Sequence, residues 1–282
     1  MEIRTVGVVG LGTMGAGIAQ VSVQSGHETV GREISDELNE RARATIGRYL
    51  GRAVEKGRMS EADKGAALGR LTLTTELGDL ADCDLVIEAI VEELEPKREL
   101  FAELERICRP DTILATNTSA LSVSKIAEAT QRPERVIGTH FFNPAPVLPL
   151  VEVVRTEQSS DEAIHDAYVW AERAGKQPVR CNDTPGFIVN RILIPLLNDC
   201  VRVLDEAGVS PEDLDKAMTN GAGWPMGPCA LVDLVGIDIH VHASEALHEA
   251  LGEDRMAPPQ RLLDMQREGK LGRKSGEGFF SY

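Results

Sequence analysis

Aromatic side chains and positive charge are both scarce in this chain. Aromatics make up 4% of its 282 residues, so the core has to be built from aliphatic side chains. Lys and Arg number 30 against 45 Asp and Glu, a formal net charge of -15, which repels nucleic acid and anionic lipid over most of the surface. Neither nucleic acid nor a membrane is therefore expected as a partner. No run of about 18 apolar residues occurs, which excludes a transmembrane helix. The 5 cysteines, Cys83, Cys108, Cys181, Cys200 and Cys229, are odd in number and include no Cys-x-x-Cys pair. That disfavours a disulfide framework and a zinc knuckle alike, and reduced, mostly buried thiols are expected. His27, His165, His240, His242 and His248 show no metal-ligand spacing with carboxylates, so no metal site is expected. His240, His242 and His248 read as polar positions on helices. Met1 is followed closely by the first apolar run, leaving no room for a signal or transit peptide, and the cytoplasm is the expected location.

What is present is a glycine-rich turn. In Gly10-Leu11-Gly12-Thr13-Met14-Gly15 a short apolar run turns and passes directly into a helix-compatible segment. Gly10 permits the tight turn, Gly12 lets backbone amides approach a pyrophosphate, and Gly15 lets the helix pack closely on the strand. The unpaired N–H groups and positive dipole end of the helix favour an anion there. Glu33 stands about 20 residues further on, where a carboxylate accepts from the ribose hydroxyls and repels a 2′-phosphate, pointing to NAD over NADP.

The rest of the N-terminal two thirds alternates apolar strand, polar loop and helix. Strands are expected at 28–31, 71–74, 84–89, 112–116, 136–142, 150–154 and 178–181, and helices from Ser35 to Lys56, from Pro96, from Ser122 and from Ser159, where Ser159 and Glu162 read as a capping box. The order indicates a Rossmann-type doubly wound α/β sheet of parallel strands, with ligands beyond the carboxyl ends of the strands. The Ser35–Lys56 segment is longer than a crossover needs and reads as one arm of a helical hairpin, its second arm capped by Ser60. Arg41, Arg43, Arg48, Arg52, Lys56 and Arg58 cluster along it, either as a solvated face or as a patch for a polyanionic ligand. After Thr184 only helical patterns remain, the first a long helix over 187–207 with Pro195 inside it as a kink. The expected domains are 1–184, a dinucleotide-binding sheet domain, and 185–282, all α-helical, with apolar helices suited to substrate binding and dimerisation.

One histidine and one glutamate stand out. His140 falls at a strand end and Glu152 in the middle of an otherwise apolar strand, joined by the proline-rich turn 143–149. A buried carboxylate needs a partner, and a histidine N–H is the nearest suitable donor. Such a pair is a general base with its orienter, and beside a nicotinamide it oxidises an alcohol. The bland alternative is a surface histidine and an outward-facing glutamate. Ser119 and Asn190 are neutral donors able to hold a hydroxyl or a thioester carbonyl, or else a turn cap and a solvent-facing helix residue. A serine hydrolase is the rival class, but no Gly-x-Ser-x-Gly surrounds Ser119.

The sequence resembles the L-3-hydroxyacyl-CoA dehydrogenase family, close to its single-function 3-hydroxybutyryl-CoA members, along its whole length. The resemblance rests on Gly10 to Gly15, Val86-Ile87-Glu88-Ala89, Ala115-Thr116-Asn117-Thr118-Ser119, Gly138-Thr139-His140-Phe141-Phe142-Asn143-Pro144, Thr184-Pro185-Gly186-Phe187-Ile188-Val189-Asn190-Arg191 and the ending 272–280. It implies NAD-dependent oxidation of a 3-hydroxyacyl-CoA to the 3-oxoacyl-CoA, and the reverse. His140 would be the base, Glu152 its partner, and Ser119 and Asn190 the substrate-positioning donors. Glu33, Glu92, Lys97, Ser119, Asn143 and Lys274 would join Gly10, Leu11, Gly12, Thr13, Met14 and Gly15 around NAD. Arg52 and Lys56 would meet the CoA phosphates, and a homodimer would form through the helical domain. The alternative keeps the chemistry but takes a carrier-protein thioester or another small hydroxy acid. Gly31 stands where members usually carry a bulky apolar residue, and Glu33 replaces the commoner aspartate, which implies a looser adenosine end.

Overall fold

A computed structural model describes residues 1–282 and divides into two compact units, Met1–Thr184 and Pro185–Tyr282. The first unit is a sheet with helices. Its elements in order are β1 (Thr5–Val9), α1 (Thr13–Gln24), β2 (Glu28–Arg32), α2 (Asp36–Glu55), α3 (Glu61–Gly69), β3 (Leu71–Thr74), β4 (Leu85–Glu88), α4 (Leu94–Ile107), β5 (Ile113–Thr116), α5 (Val123–Ala127), β6 (Val136–Phe141), β7 (Leu150–Arg155), α6 (Asp161–Arg173) and β8 (Gln177–Asn182). The strands form one 8-stranded sheet in the order β3-β2-β1-β4-β5-β6-β7-β8. Every residue of β4, β5 and β6 is buried. Strands covered on both faces favour apolar runs, and the sequence supplies them there with Glu88, Thr116, Thr139 and His140 as the polar exceptions.

The sheet is not parallel throughout. From β3 to β6 each neighbour runs parallel, but β7 pairs antiparallel with β6, and β8 then runs parallel to β7. The cause is the short connection at 142–149, which has no room for a crossover helix, so the chain can only turn back beside itself. That reversal corrects the all-parallel expectation. It also sets the register that puts His140 directly opposite Glu152.

Local chemistry fixes the helix starts. Ser35 accepts from Leu38 N to open α2, Gly57 with φ +66 ends the turn after it, and Ser60 accepts from Asp63 N to open α3. The start of α6 differs from the capping box read at Ser159. Ser160 is the cap, accepting from Ala163 N, while the Ser159 hydroxyl donates to Val136 O at 2.7 Å. Ser159 is thus held by the edge of β6, and the next serine is left to cap the helix.

The second unit consists of α7 (Val189–Ala207), α8 (Pro211–Gly221), α9 (Pro228–Val235), α10 (Ile237–Leu251) and α11 (Gln260–Arg267). Helix α7 runs unbroken through Pro195. It begins after Phe187, which has φ +49 and so cannot be helical. Leu197, Val201, Val232, Ile237, Val241 and Leu262 make its main apolar cluster. Asp233 accepts from Phe279 N, Phe280 N and the Tyr282 hydroxyl, tying the end of the chain to α9. Neither unit contains a helix long and apolar enough to cross a membrane.

His240 is on a helix but not on its polar face. It is 1% exposed, its Nε2 lies 2.8 Å from Asn198 Oδ1, and its Nδ1 has no hydrogen-bond partner. Burial pushes its pKa down to about 4. Above the ordinary histidine value of about 6.5 the ring is neutral in both folded and unfolded chains. As pH falls towards 4 the unfolded chain takes up a proton that the folded chain refuses, and stability falls by up to about 3 kcal/mol. Urea midpoints at pH 7 and pH 4.5 should therefore drop less steeply with acid in His240→Gln than in the unaltered protein. Equal drops would show that His240 does not set this acid sensitivity.

Candidate active site

The glycine turn is built by sterics. Gly10 has φ +83, and a Cβ at Gly15 would stand 1.7 Å from Gly10 O, so neither position admits a side chain. A Cβ at Gly12 would meet nothing within 4 Å, which leaves the backbone there open to a ligand. No side chain caps the start of α1. Glu33, at the end of β2, closes over the turn: its Oε1 accepts from Leu11 N at 2.6 Å and its Oε2 from Ile34 N at 3.1 Å. The space at Gly31 is filled. A Cβ there would meet Leu73 Cδ2 at 2.8 Å and Leu11 Cδ1 at 2.9 Å, so neighbouring leucines occupy the room that the missing side chain leaves.

A cleft of about 780 Å³ opens beside this turn. Gly12, Thr13 and Glu33 line it, Asn143 to Val147 form one wall, and Arg41, Arg48, Arg52, Lys56 and Arg58 reach it from the helical hairpin. Of the basic cluster only Arg43 is absent from the lining. Arg48 and Arg52 also approach the ring of Tyr49, with guanidinium carbons 5.4 and 5.9 Å from its centre.

A second cluster forms at the carboxyl ends of β5 and β6. His140 is 4% exposed and Glu152 is 0% exposed. His140 Nδ1 lies 2.6 Å from Glu152 Oε2, and its Nε2 lies 3.1 Å from Ser119 Oγ. An ionised carboxylate only accepts, so Nδ1 carries the proton and donates to it, which leaves Nε2 as the acceptor for the Ser119 hydroxyl. Phe142 leans on the imidazole with ring centres 4.5 Å apart. Asn117 Oδ1 accepts from Phe141 N and fastens the end of β6 to the loop after β5.

Ser119 is held from behind by a network that the sequence only partly indicates. Glu92 Oε1 accepts from Thr118 Oγ1 at 2.6 Å, from Ser119 N at 2.7 Å and from Ala120 N at 3.2 Å. Lys97 Nζ lies 3.3 Å from Glu92 Oε2 and donates to Glu88 Oε1 at 2.5 Å. Glu88 also accepts from Thr116 Oγ1 and Ile90 N. Lys97 and Glu88 are 1% and 0% exposed, so this lysine points into the protein rather than out from α4. Glu88 is the residue whose weight is underestimated in sequence. Its signal is a carboxylate closing the otherwise apolar strand 85–88.

The remaining candidates lie in the helical unit. Asn190 is half-buried in the first turn of α7. Lys274 sits in the short turn Arg273–Ser275 and donates to Asp238 Oδ2 at 2.6 Å.

Comparison with known proteins agrees with this geometry. The family model described as "3-hydroxyacyl-CoA dehydrogenase, NAD binding domain" matches residues 5–184, and "3-hydroxyacyl-CoA dehydrogenase, C-terminal domain" matches 186–282. A probable 3-hydroxybutyryl-CoA dehydrogenase of Deinococcus radiodurans is 46% identical over 276 residues, covering 98% of this chain and 99% of the relative. Among solved structures, Mycobacterium tuberculosis FadB2 superposes with a TM-score of 0.97 at 46% identity, covering 100% of both chains. The (S)-3-hydroxybutyryl-CoA dehydrogenase of Ralstonia eutropha gives 0.97 at 40% identity, covering 100% of this chain and 99% of the other.

The buried Glu88–Lys97 pair makes a stability test. Removing Lys97 leaves the buried Glu88 carboxylate without its counter-charge, held only by the Thr116 hydroxyl and the Ile90 amide, so Lys97→Met should cost about 3–5 kcal/mol in urea unfolding. Adding Glu88→Gln to that variant should recover roughly half of the loss or more, since no isolated charge remains. A double variant no more stable than Lys97→Met would show that the cost comes from lost packing instead.

Proposed function

The chain belongs to the 3-hydroxyacyl-CoA dehydrogenase family, and on that premise we propose that it is an NAD-dependent oxidoreductase interconverting L-3-hydroxybutyryl-CoA and acetoacetyl-CoA. The observation that carries this reading is His140 locked between Glu152 and Ser119. Residues 1–184 are assigned to NAD binding, and 185–282 to substrate binding and dimerisation.

The chain's own residues fit NAD. The open backbone at Gly12 and the uncapped start of α1 suit a pyrophosphate, and the Glu33 carboxylate suits a ribose diol. Met14 and Gly15 belong to the same turn, and we assign Glu92, Lys97, Ser119, Asn143 and Lys274 to the nicotinamide half. When bound, NAD supplies the acceptor for the hydride that leaves substrate C3.

In the forward direction His140 Nε2 accepts the proton of the C3 hydroxyl. Glu152, 2.6 Å from Nδ1, stabilises the imidazolium that results and keeps the ring in the productive tautomer. Ser119 Oγ, within hydrogen-bond reach of Nε2, orients the substrate hydroxyl, and Asn190 is assigned as the second donor. In reverse the imidazolium returns the proton as the carbonyl is reduced. Arg52 and Lys56 are assigned to the CoA phosphates. The half-exposed Tyr49 ring lines the cleft beside these cations and can stack on an adenine, which favours CoA over a carrier-bound pantetheine arm that lacks one. A homodimer through the helical unit is proposed from its exposed Ile192, Val203, Leu234 and Ile239. The cytoplasm is the proposed location, in keeping with unpaired cysteine thiols.

NADH oxidation with acetoacetyl-CoA tests the reading directly, and no turnover with any short 3-oxoacyl-CoA would refute it. His140→Gln should lower kcat by roughly 10³ while NADH still binds, as expected on losing a general acid–base. Near-normal turnover in that variant would mean another group moves the proton. A separate comparison concerns the carrier. Arg52→Ala with Lys56→Ala should raise KM for acetoacetyl-CoA about tenfold, leaving kcat and the KM for acetoacetyl-pantetheine unchanged, because phosphate contacts remote from C3 bind ground and transition states alike. Equal effects on both substrates would remove these residues from the CoA site.

A further inference from the structure

The loop between β6 and β7 joins the strand of His140 to that of Glu152 and carries Asn143 into the cleft. Its internal bonding is slight: Val147 N and Leu148 N both donate to Pro144 O, at 2.9 and 3.0 Å. It nevertheless lies close on α1, where a Cβ at Gly17 would meet Pro146 Cδ at 3.1 Å and Ala145 Cβ at 3.2 Å. Ala145 is 2% exposed.

Lys176 supports this loop from beneath. It stands at the turn between α6 and β8 and is 9% exposed. Its Nζ donates to Ala145 O at 2.5 Å and to Leu148 O at 3.0 Å. Burial lowers the pKa of this amine, with no counter-charge offsetting the effect. An ammonium held by backbone carbonyls alone acts as a fixed cation around which the loop is folded. A neutral apolar side chain in its place would take this donor from the buried Ala145 carbonyl and the part-buried Leu148 carbonyl.

We propose that Lys176 is a positioning residue for dinucleotide binding: by holding the carbonyls of Ala145 and Leu148 it keeps the loop 143–148 against α1, and so sets the wall of the cleft that carries Asn143. The proposal rests on the dehydrogenase reading, and wild-type turnover with acetoacetyl-CoA and NADH is the control that tests that reading by itself.

Lys176→Met and Lys176→Gln are compared with Lys176→Arg, which keeps a cation that can donate to carbonyls. In the Met variant KM for NAD should rise about tenfold with kcat at saturating NAD little changed, the pattern of lost ground-state binding. The Val147 and Leu148 amides should exchange with deuterium about tenfold faster, as the loop opens locally. The Gln variant, milder for folding, should lie between, and Arg should restore most of the NAD affinity. If Lys176→Met fails to fold, the Gln and Arg variants carry the same comparison. The proposal is overturned if wild-type protein turns over but KM for NAD stays unchanged in the Gln and Met variants. It is equally overturned if only thermal stability and kcat fall together, or if Arg behaves like Met.

Discussion

The site depends on one buried bond, that between His140 Nδ1 and Glu152 Oε2. A carboxylate with no solvent exposure in a strand of aliphatic neighbours is unfavourable unless a donor faces it, and the histidine opposite is that donor. The pairing exists only because β7 turns back against β6, so a local departure from the parallel sheet is what brings the imidazole and the carboxylate side by side. With Nδ1 committed to the carboxylate, Nε2 has a single role left, and the loop after β5 presents Ser119 to it.

The surroundings stiffen this arrangement without touching the imidazole. Glu92 gathers the backbone and side chain of 118–120, and the Glu88–Lys97 pair anchors Glu92 in turn. From the same loop after β5, Asn117 fastens Phe141 N. Polar groups in such a network each need their partners, and here each satisfied carboxylate lies at the end of a strand or in the loop that follows it. The chemistry is thereby placed on the rigid rim of the sheet.

Much of this was legible in the sequence because the relevant patterns are local. Largely apolar runs in 85–88, 113–116 and 136–141, interrupted only by Glu88, Thr116, Thr139 and His140, mark strands covered on both faces, and the spacing of glycines in 10–15 marks the turn. The hairpin of α2 and α3 follows from Ser35, Gly57 and Ser60, each acting within its own few residues. What sequence did not reveal depends on distant neighbours. Lys97 reads as an ordinary helix lysine until Glu88 is seen facing it, and His240 reads as a polar helix position until Asn198 is found against it. On paper Glu162, three residues on, favours Ser159 as the cap, but Val136 O takes the Ser159 hydroxyl and Ser160 caps instead. The vacancy suggested by Gly31 disappears for the same reason, since Leu11 and Leu73 lean in from other segments. Residue type and spacing suggest roles for the glycine turn, Glu33, His140 and Glu152, whereas those of Glu92, Lys97, Asn143, Lys274, Arg52 and Lys56 come from resemblance.

The contact between Leu11 N and Glu33 has a thermodynamic meaning of its own. A carboxylate has about four lone-pair positions, and backbone N–H groups of Leu11 and Ile34 engage one on each oxygen, so roughly two remain for the hydroxyls of a sugar. The turn therefore keeps its shape before a nucleotide arrives and need not surrender that bond when one does. Its conformational entropy is lost once, during folding, and is not lost again at each binding event. For a turnover enzyme that must release and reload its dinucleotide every cycle, the glycine loop behaves as a permanently set mould.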